Sequence, residues 1–270
     1  MIKYGFSVLT LLFCVVMSGI AQQTLDLNAN NYNSKVGLVY STENTFDIRL
    51  HTNGASLGLN FGQIESYYKT SFWHFDIGEL KHARETKQSR SLQGGALGGS
   101  FRSFVYGKQN NFFTVRGGYG QKKYLSEKAR FKGVAVGLSY EGGPTIGVTK
   151  PYYLILRYVS ENFGQLNYRS EKYSEENAAR FLANENIFGA DSFTRGLTEV
   201  GIIPGIHASA SLHFDFGTFD EFVKAVEVGA MVDFFFKEVP IMIESPVTPE
   251  LNNQMAFINL FINVQFGKRK

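Results

Sequence analysis

From Val36 to the C-terminus the chain alternates apolar and polar residues with a period of two. In the final run Ile258, Leu260, Ile262, Val264 and Phe266 share one face, and Asn259, Asn263 and Gln265 share the other. Before it, Val226, Val228, Ala230, Val232, Phe234 and Phe236 oppose Glu227, Gly229 and Asp233. Ile206, Ala208, Ala210, Leu212, Phe214 and Phe216 oppose His207, Ser209, Ser211, His213 and Asp215. Nearer the N-terminus, Trp73, Phe75 and Ile77 stand against His74, Asp76 and Gly78, and Phe46, Ile48 and Leu50 against Asp47 and Arg49. Successive side chains of a strand point to opposite faces, so each run predicts a strand with one apolar and one polar side.

The polar side separates two architectures. A soluble sandwich turns its polar face to water and fills it with Lys and Glu. Here that face carries His, Ser, Asn, Gly, Asp and Arg, while the apolar face ends in aromatics. This is the pattern of a membrane barrel, apolar outside and polar within. Composition adds to it, with 25 Phe, 14 Tyr and 28 Gly but only six Pro in 270 residues. The expected fold is all-β, a transmembrane antiparallel up-and-down barrel; spanning lipid with strands requires closure, because an open edge leaves backbone groups unpaired.

Turn signals set a provisional topology of about ten strands, with eight and twelve the neighbouring even counts. The strands fall near 35–42, 44–51, 54–63, 69–80, 111–122, 131–142, 151–158, 200–216, 221–237 and 254–267. Asn53-Gly54 is a two-residue hairpin signal. It is expected, with Thr149-Lys150-Pro151 and Gly217-Thr218-Phe219-Asp220, to form the short periplasmic turns. On this count 159–199 is the long extracellular loop and 81–110 an unusually long periplasmic segment.

The first 21 residues read as a secretory leader. Lys3 precedes an apolar stretch from Phe6 to Met17, and Ser18-Gly19-Ile20-Ala21 supplies small residues for cleavage. That stretch is shorter than the roughly 20 residues a membrane helix needs. Cys14, the only cysteine, lies inside it, so residues 22–270 offer no disulfide and no thiolate metal ligand. The formal charge of +3 falls to +2 without Lys3, too balanced for a nucleic-acid partner.

The stretches "RLHTNGASLGLNFG", "GELKHARE", "SFVYGKQNNFFTVRGGYG", "FGTFDEFVKAVEVGAMVD" and "NVQFGKRK" resemble a family of outer-membrane barrel proteins from Bacteroidota. The resemblance spans nearly all of residues 22–270 and departs from the family's pattern at Ala83 and Arg84. It implies the fold and the outer-membrane location, and brings no activity with it.

Candidate chemistry is sparse. His207-Ala208-Ser209 resembles the strand motif of outer-membrane lipid A deacylases, in which a glutamate follows twelve residues after the serine; Glu221 stands there. A hydrolase needs base, nucleophile and orienting acid in contact. With a turn near Gly217, Glu221 starts the next strand and Ser209 lies on the order of 20 Å away at ~3.3 Å per residue. His207 and Ser209 are therefore expected to line the lumen. His74 and Asp76 could give a metal two ligands, which is no site, and a hydrogen-bonded pair is the plainer reading. No cofactor motif is present.

The strand phases place Asp47, Arg49, Asn60, His74, Asp76, Arg116, Glu141, Arg157, His207, His213, Asp215, Glu227 and Asp233 inward. Ten strands enclose a bore only modestly wider than one that side chains alone can fill. Opposite charges inside are expected to pair and close it, rather than form a selectivity ring of one sign. Lys81, Arg84, Lys87 and Arg90 recur every third residue and would form a basic stripe if helical. "SEENAARFLANENIF" in the long loop predicts a short helix capped by Ser174. The expected partners are outer-membrane lipid and another envelope protein met through 159–199 or 81–110. The expected role is non-enzymatic and structural or accessory, with a small-solute channel and a lipid A hydrolase as alternatives.

Overall fold

The computed structural model describes residues 40–89, 102–125, 134–159, 166–217, 221–244 and 252–270. The proposed leader, Arg90 and most of the expected 35–42 strand lie outside these residues. In chain order the elements are β1 (Thr42–His51), β2 (Gly54–Ser66), β3 (Lys69–Leu80), β4 (Lys87–Gln88), β5 (Phe104–Val105), β6 (Asn110–Tyr124), β7 (Ala135–Pro151), β8 (Tyr153–Val159), β9 (Leu166–Lys172), α1 (Ala178–Phe181), β10 (Ile187–Ala190), β11 (Gly201–Asp215), β12 (Phe222–Val239) and β13 (Gln254–Arg269). Eight of them close into an antiparallel barrel in the order β1-β13-β12-β11-β7-β6-β3-β2. Closure joins first strand to last, with Phe46 opposite Phe266 and Leu50 opposite Ile262.

The barrel has eight strands where about ten were expected. Residues 153–159 do form a strand, but β8 pairs with β9 and β10 in a separate three-stranded sheet. Residues 135–151 form one strand of 17 residues, running through Gly142-Gly143-Pro144 and the expected turn at Thr149-Lys150-Pro151. Pro144 faces outward opposite Ile206 and keeps its place in the ladder's register. Removing one strand from the count moves everything before it to the other end of the barrel. Segment 81–110 therefore leaves from the same end as the connection between β7 and β11, not from the opposite one. The Asn53-Gly54 turn is at this end too. Tyr67-Tyr68, Asp215 at the end of β11, Phe222 at the start of β12 and both barrel termini are at the other, where Ser41 and Thr42 donate backbone hydrogen bonds to Lys270. Of the expected turn at 217–220, residues 218–220 lie outside the described residues.

Close approach of the two backbones explains Gly118 of β6 and Gly143 of β7. A Cβ on Gly143 would stand 2.2 Å from the Gly117 carbonyl oxygen and 2.6 Å from Gly118 Cα, both fixed backbone. Gly143→Ala should therefore cost about 1–3 kcal/mol by overpacking, read as a lower urea midpoint. Gly117→Ala would meet only the Phe75 ring, at 3.4 Å, and should be near neutral. Equal effects from the two would refute this packing argument.

The outer surface is an apolar belt. Ile48, Leu57, Leu59, Ile77, Leu138, Ile146, Ile206, Val228, Ile258, Leu260 and Ile262 are all exposed. Toward the termini the belt becomes aromatic at Phe46, Phe61, Trp73, Tyr119, Tyr140 and Phe266, with the Trp73 and Tyr119 rings packed edge to face at 5.5 Å. At the loop end it stops where Phe236 gives way to Lys237 and Glu238.

The loop end has its own core. Leu154 and Leu156 of β8 pack with Phe181 of α1, Leu182, Ile187, Phe104 and Ile243, so three separate connections are tied into one cap. The helix here is shorter than expected, beginning after Asn177 rather than Ser174. Ser174 and Asn177 instead exchange backbone-to-side-chain hydrogen bonds across the preceding turn. The basic run does not form a helix. Ala83 and Arg84 lie in a turn, and Lys87 lies in β4 paired with Val105.

Candidate functional site

The barrel interior concentrates the charged residues. Arg116 sits near its centre on β6, and its guanidinium grips Asp233 of β12 with two hydrogen bonds of 2.7 and 2.9 Å. Its third arm reaches Asp76 of β3 at 3.0 Å. Asp76 also meets His74 Nε2 at 3.1 Å, and His74 Nδ1 meets Asn60 Oδ1 at 2.5 Å. Arg49 of β1 donates to Glu141 across the bore at 2.9 Å, and its guanidinium carbon stands 4.6 Å from the centre of the Phe261 ring.

Toward the termini a second cluster follows. Asn263 bridges Asp47 and Glu227 at 3.2 and 3.0 Å, and Glu227 accepts His213 at 2.9 Å. Asn60 and Gln265 also donate to Asp47. The floor is made by Lys122, which donates to Glu43 and Gln265, and by Arg269, which joins Glu43 to Asp215. Tyr124 adds a hydrogen bond to Asp215 at 3.2 Å.

At the loop end the bore is sealed by hydrocarbon. Phe112, Phe235 and Phe257 pack ring on ring with centroids 5.0–6.2 Å apart. Leu80, Val105, Ile203, Val239, Ile241 and Met242 complete this cluster. The apolar seal, the Arg116 layer and the Lys122–Arg269 floor stack along the bore.

Of the residues expected to line the lumen, Asp47, Arg49, Asn60, His74, Asp76, Arg116, Glu141, His207, His213, Asp215, Glu227 and Asp233 are buried in the barrel. Arg157 is not among them. It is an exposed residue of β8 in the loop-end sheet, because the strand it belongs to is not a barrel strand. Glu43, Lys122 and Arg269 are buried in the barrel as well, beyond the expected lining, and strand phase points to each. Glu43 is in phase with Asp47 and Arg49, Lys122 with Arg116, and Arg269 with Asn263 and Gln265.

The His207, Ser209 and Glu221 trio is not assembled. Ser209 donates its hydroxyl to Glu141 at 3.0 Å, and Glu141 is the carboxylate that Arg49 holds. His207 Nδ1 is bonded to Thr145 at 2.9 Å. Glu221 lies exposed at the terminal end of the barrel, paired with Lys268 at 2.6 Å. Of the basic run, Lys81 pairs with Glu79 at 3.2 Å. Among the described residues no group of three His, Cys, Asp or Glu is placed to hold a metal.

The class of the protein is thus a closed eight-stranded up-and-down barrel, apolar outside, ion-paired within and capped at one end by a small folded unit. No family profile and no curated protein matches the sequence. The solved structures that align with it include two of Ail, the attachment invasion locus protein of Yersinia pestis. One, in complex with the heparin analogue sucrose octasulfate, is 11% identical, with 85% of this chain and 95% of that chain covered and a TM-score of 0.33. The other is 10% identical over the same shares, with a TM-score of 0.31.

Proposed function

We propose that this protein is an integral barrel of the bacterial outer membrane, with a plugged lumen and a working surface at its loop end. The observation that carries this is the pairing of an apolar belt with a filled interior. The belt suits lipid and no other solvent, and the interior charges answer one another instead of facing water. Seven of the eight barrel strands run 12 to 18 residues, beyond the roughly 9–11 a tilted strand needs to cross a bilayer, so the excess lifts the cap clear of the membrane. The role is structural or accessory in envelope biogenesis, with lipid as solvent and another envelope protein as partner at the cap.

Planar-bilayer recording of the refolded protein tests the plug. The expected trace shows no discrete current steps, and steady single-channel conductance would favour a small-solute channel instead. The interior also supports a non-enzymatic role for His207 and Ser209, since Ser209 bonds to a carboxylate that already has a cationic partner. Ser209→Ala and His207→Ala should leave lipid A composition unchanged by mass spectrometry. Loss of deacylated species in both variants, at unchanged barrel levels, would overturn that assignment.

A further inference from the structure

We propose that the cleft between the barrel rim and the loop-end sheet is a binding site for a phosphate or sulfate group, free or carried on a small molecule. The cleft is about 430 Å³ in volume and draws cations from three separate parts of the chain: Lys87 of β4, Arg102 before β5 and Lys150 at the end of β7. Asn111, Ser103 and Ser192 add neutral hydrogen-bonding groups to the same wall.

Lys150 is the informative residue. It is only 3% exposed, yet among the described residues no carboxylate lies within ion-pair distance of it. Its ammonium has a long 3.5 Å contact with the Pro151 carbonyl and sits 4.5 Å from the centre of the Phe193 ring. A buried charge without a counter-charge is costly, and such groups are ordinarily paired. The neighbouring Lys108 has such a partner in Glu85, at 2.7 Å. Lys150 does not, and it lines an opening large enough to admit an anion.

Among the described residues the one acid lining the cleft does not supply the missing charge. Asp191 is engaged by Arg195 at 2.7 Å, by the Ser192 N–H at 2.6 Å and by the Ser170 hydroxyl. Burial acts to raise its pKa, and those hydrogen bonds outweigh it to hold the carboxyl below its ordinary value. Asp191 is thus ionised and already answered by Arg195. The remaining balance of the cleft is cationic. A tetrahedral oxyanion matches it because it accepts charge-assisted hydrogen bonds from several directions at once.

The site belongs to the loop-end surface proposed above to do the protein's work, but it does not depend on the plug. A conducting barrel would leave the cleft in place, and an empty cleft would leave the plugged barrel in place. Calorimetric titration of the full refolded protein in detergent, with inorganic phosphate, sulfate, glucose 6-phosphate and glucose, tests it. Glucose 6-phosphate binding more tightly than phosphate or sulfate would mark an ester as the ligand, and equal affinities would mark the free anion. Glucose should not bind.

Binding should weaken with salt and fall about tenfold or more in Lys150→Met, as expected for losing a charge-assisted hydrogen bond. Arg102→Gln should weaken it several-fold, and Lys224→Gln, at the far end of the barrel, should not change it. Heat-modifiable gel mobility verifies that each variant is folded. No heat from any of the three anions at millimolar concentration, or undiminished binding in folded Lys150→Met, would overturn the proposal.

Discussion

Replacing Arg116 with methionine should destabilise the barrel by about 3–5 kcal/mol, the cost of breaking a buried ion pair by removing one partner. Arg116 is 1% exposed and Asp233 is fully buried. The substitution strands Asp233 with its charge and no counter-ion, while Asp76 retains His74 and, at 3.6 Å, Arg49. Asp233→Leu should be nearly as costly, because it removes both short bonds of the Arg116 fork. The double variant Arg116→Met/Asp233→Leu should recover much of the loss, since removing both partners leaves no charge orphaned. Urea unfolding in lipid vesicles, run as a double-mutant cycle, measures the coupling. An Arg116→Met cost below about 1 kcal/mol would be the value of an exposed pair, and would mean that water reaches the bore.

The second large effect is on the outer face. Val228→Arg and Ile262→Arg should each cost about 2–4 kcal/mol, the penalty for a charged side chain placed at mid-bilayer on the lipid side of a barrel. Val228 stands opposite Ile262 in the β12–β13 ladder, and both are exposed. A neighbour of opposite phase behaves differently. From the sequence, Asn263→Arg should be tolerated where the longer side chain fits. The structure leaves it no room, because Asn263 is fully buried and bonded to Asp47 and Glu227. Its cost should therefore be of the overpacking kind, about 1–3 kcal/mol. The two kinds separate on solvent: the outward substitutions should be far milder in a detergent micelle than in a bilayer, and the inward one should not. A penalty for Val228→Arg that is the same in both solvents would refute its placement against lipid.

Strand phase was legible because it is local. Every second residue of 221–237 or 254–267 shows which face is which, and the faces hold in the folded barrel. Partnership was not legible. Leu154 and Leu156 alternate with Ile155 and Arg157 as a barrel strand would, and they do form a strand, but period two says nothing about which strand lies alongside. That one ambiguity misplaced Arg157 and inverted the end assigned to segment 81–110. Residues 135–151 show the opposite error. The expected strand stops at Gly142, yet β7 continues through Gly143 and Pro144, and Gly143 is small because the β6 and β7 backbones meet closely at that level. The individual interior residues could be found from phase, but their pairing depends on register across the bore. Arg116 reaches Asp233 over 117 positions in sequence, and no local pattern encodes that. Lys150 was hidden for the same reason, since its environment is made by residues of three distant segments.

If one face of each barrel strand meets lipid and the other a closed interior, thiol protection along β13 should alternate with residue number. Cys14 is the chain's only cysteine, so in a Cys14→Ser background each introduced thiol is unique. Ile258 and Ile262 are 69% and 54% exposed, whereas Asn259 and Asn263, one residue along, are fully buried. In folded protein in lipid vesicles, cysteines at 258 and 262 should react with a lipid-soluble maleimide and resist a charged one. Cysteines at 259 and 263 should resist both. Rapid reaction of 259 or 263 with the charged reagent would show a water-filled bore and contradict the plugged barrel, and reaction of 258 and 262 with it would contradict the lipid face.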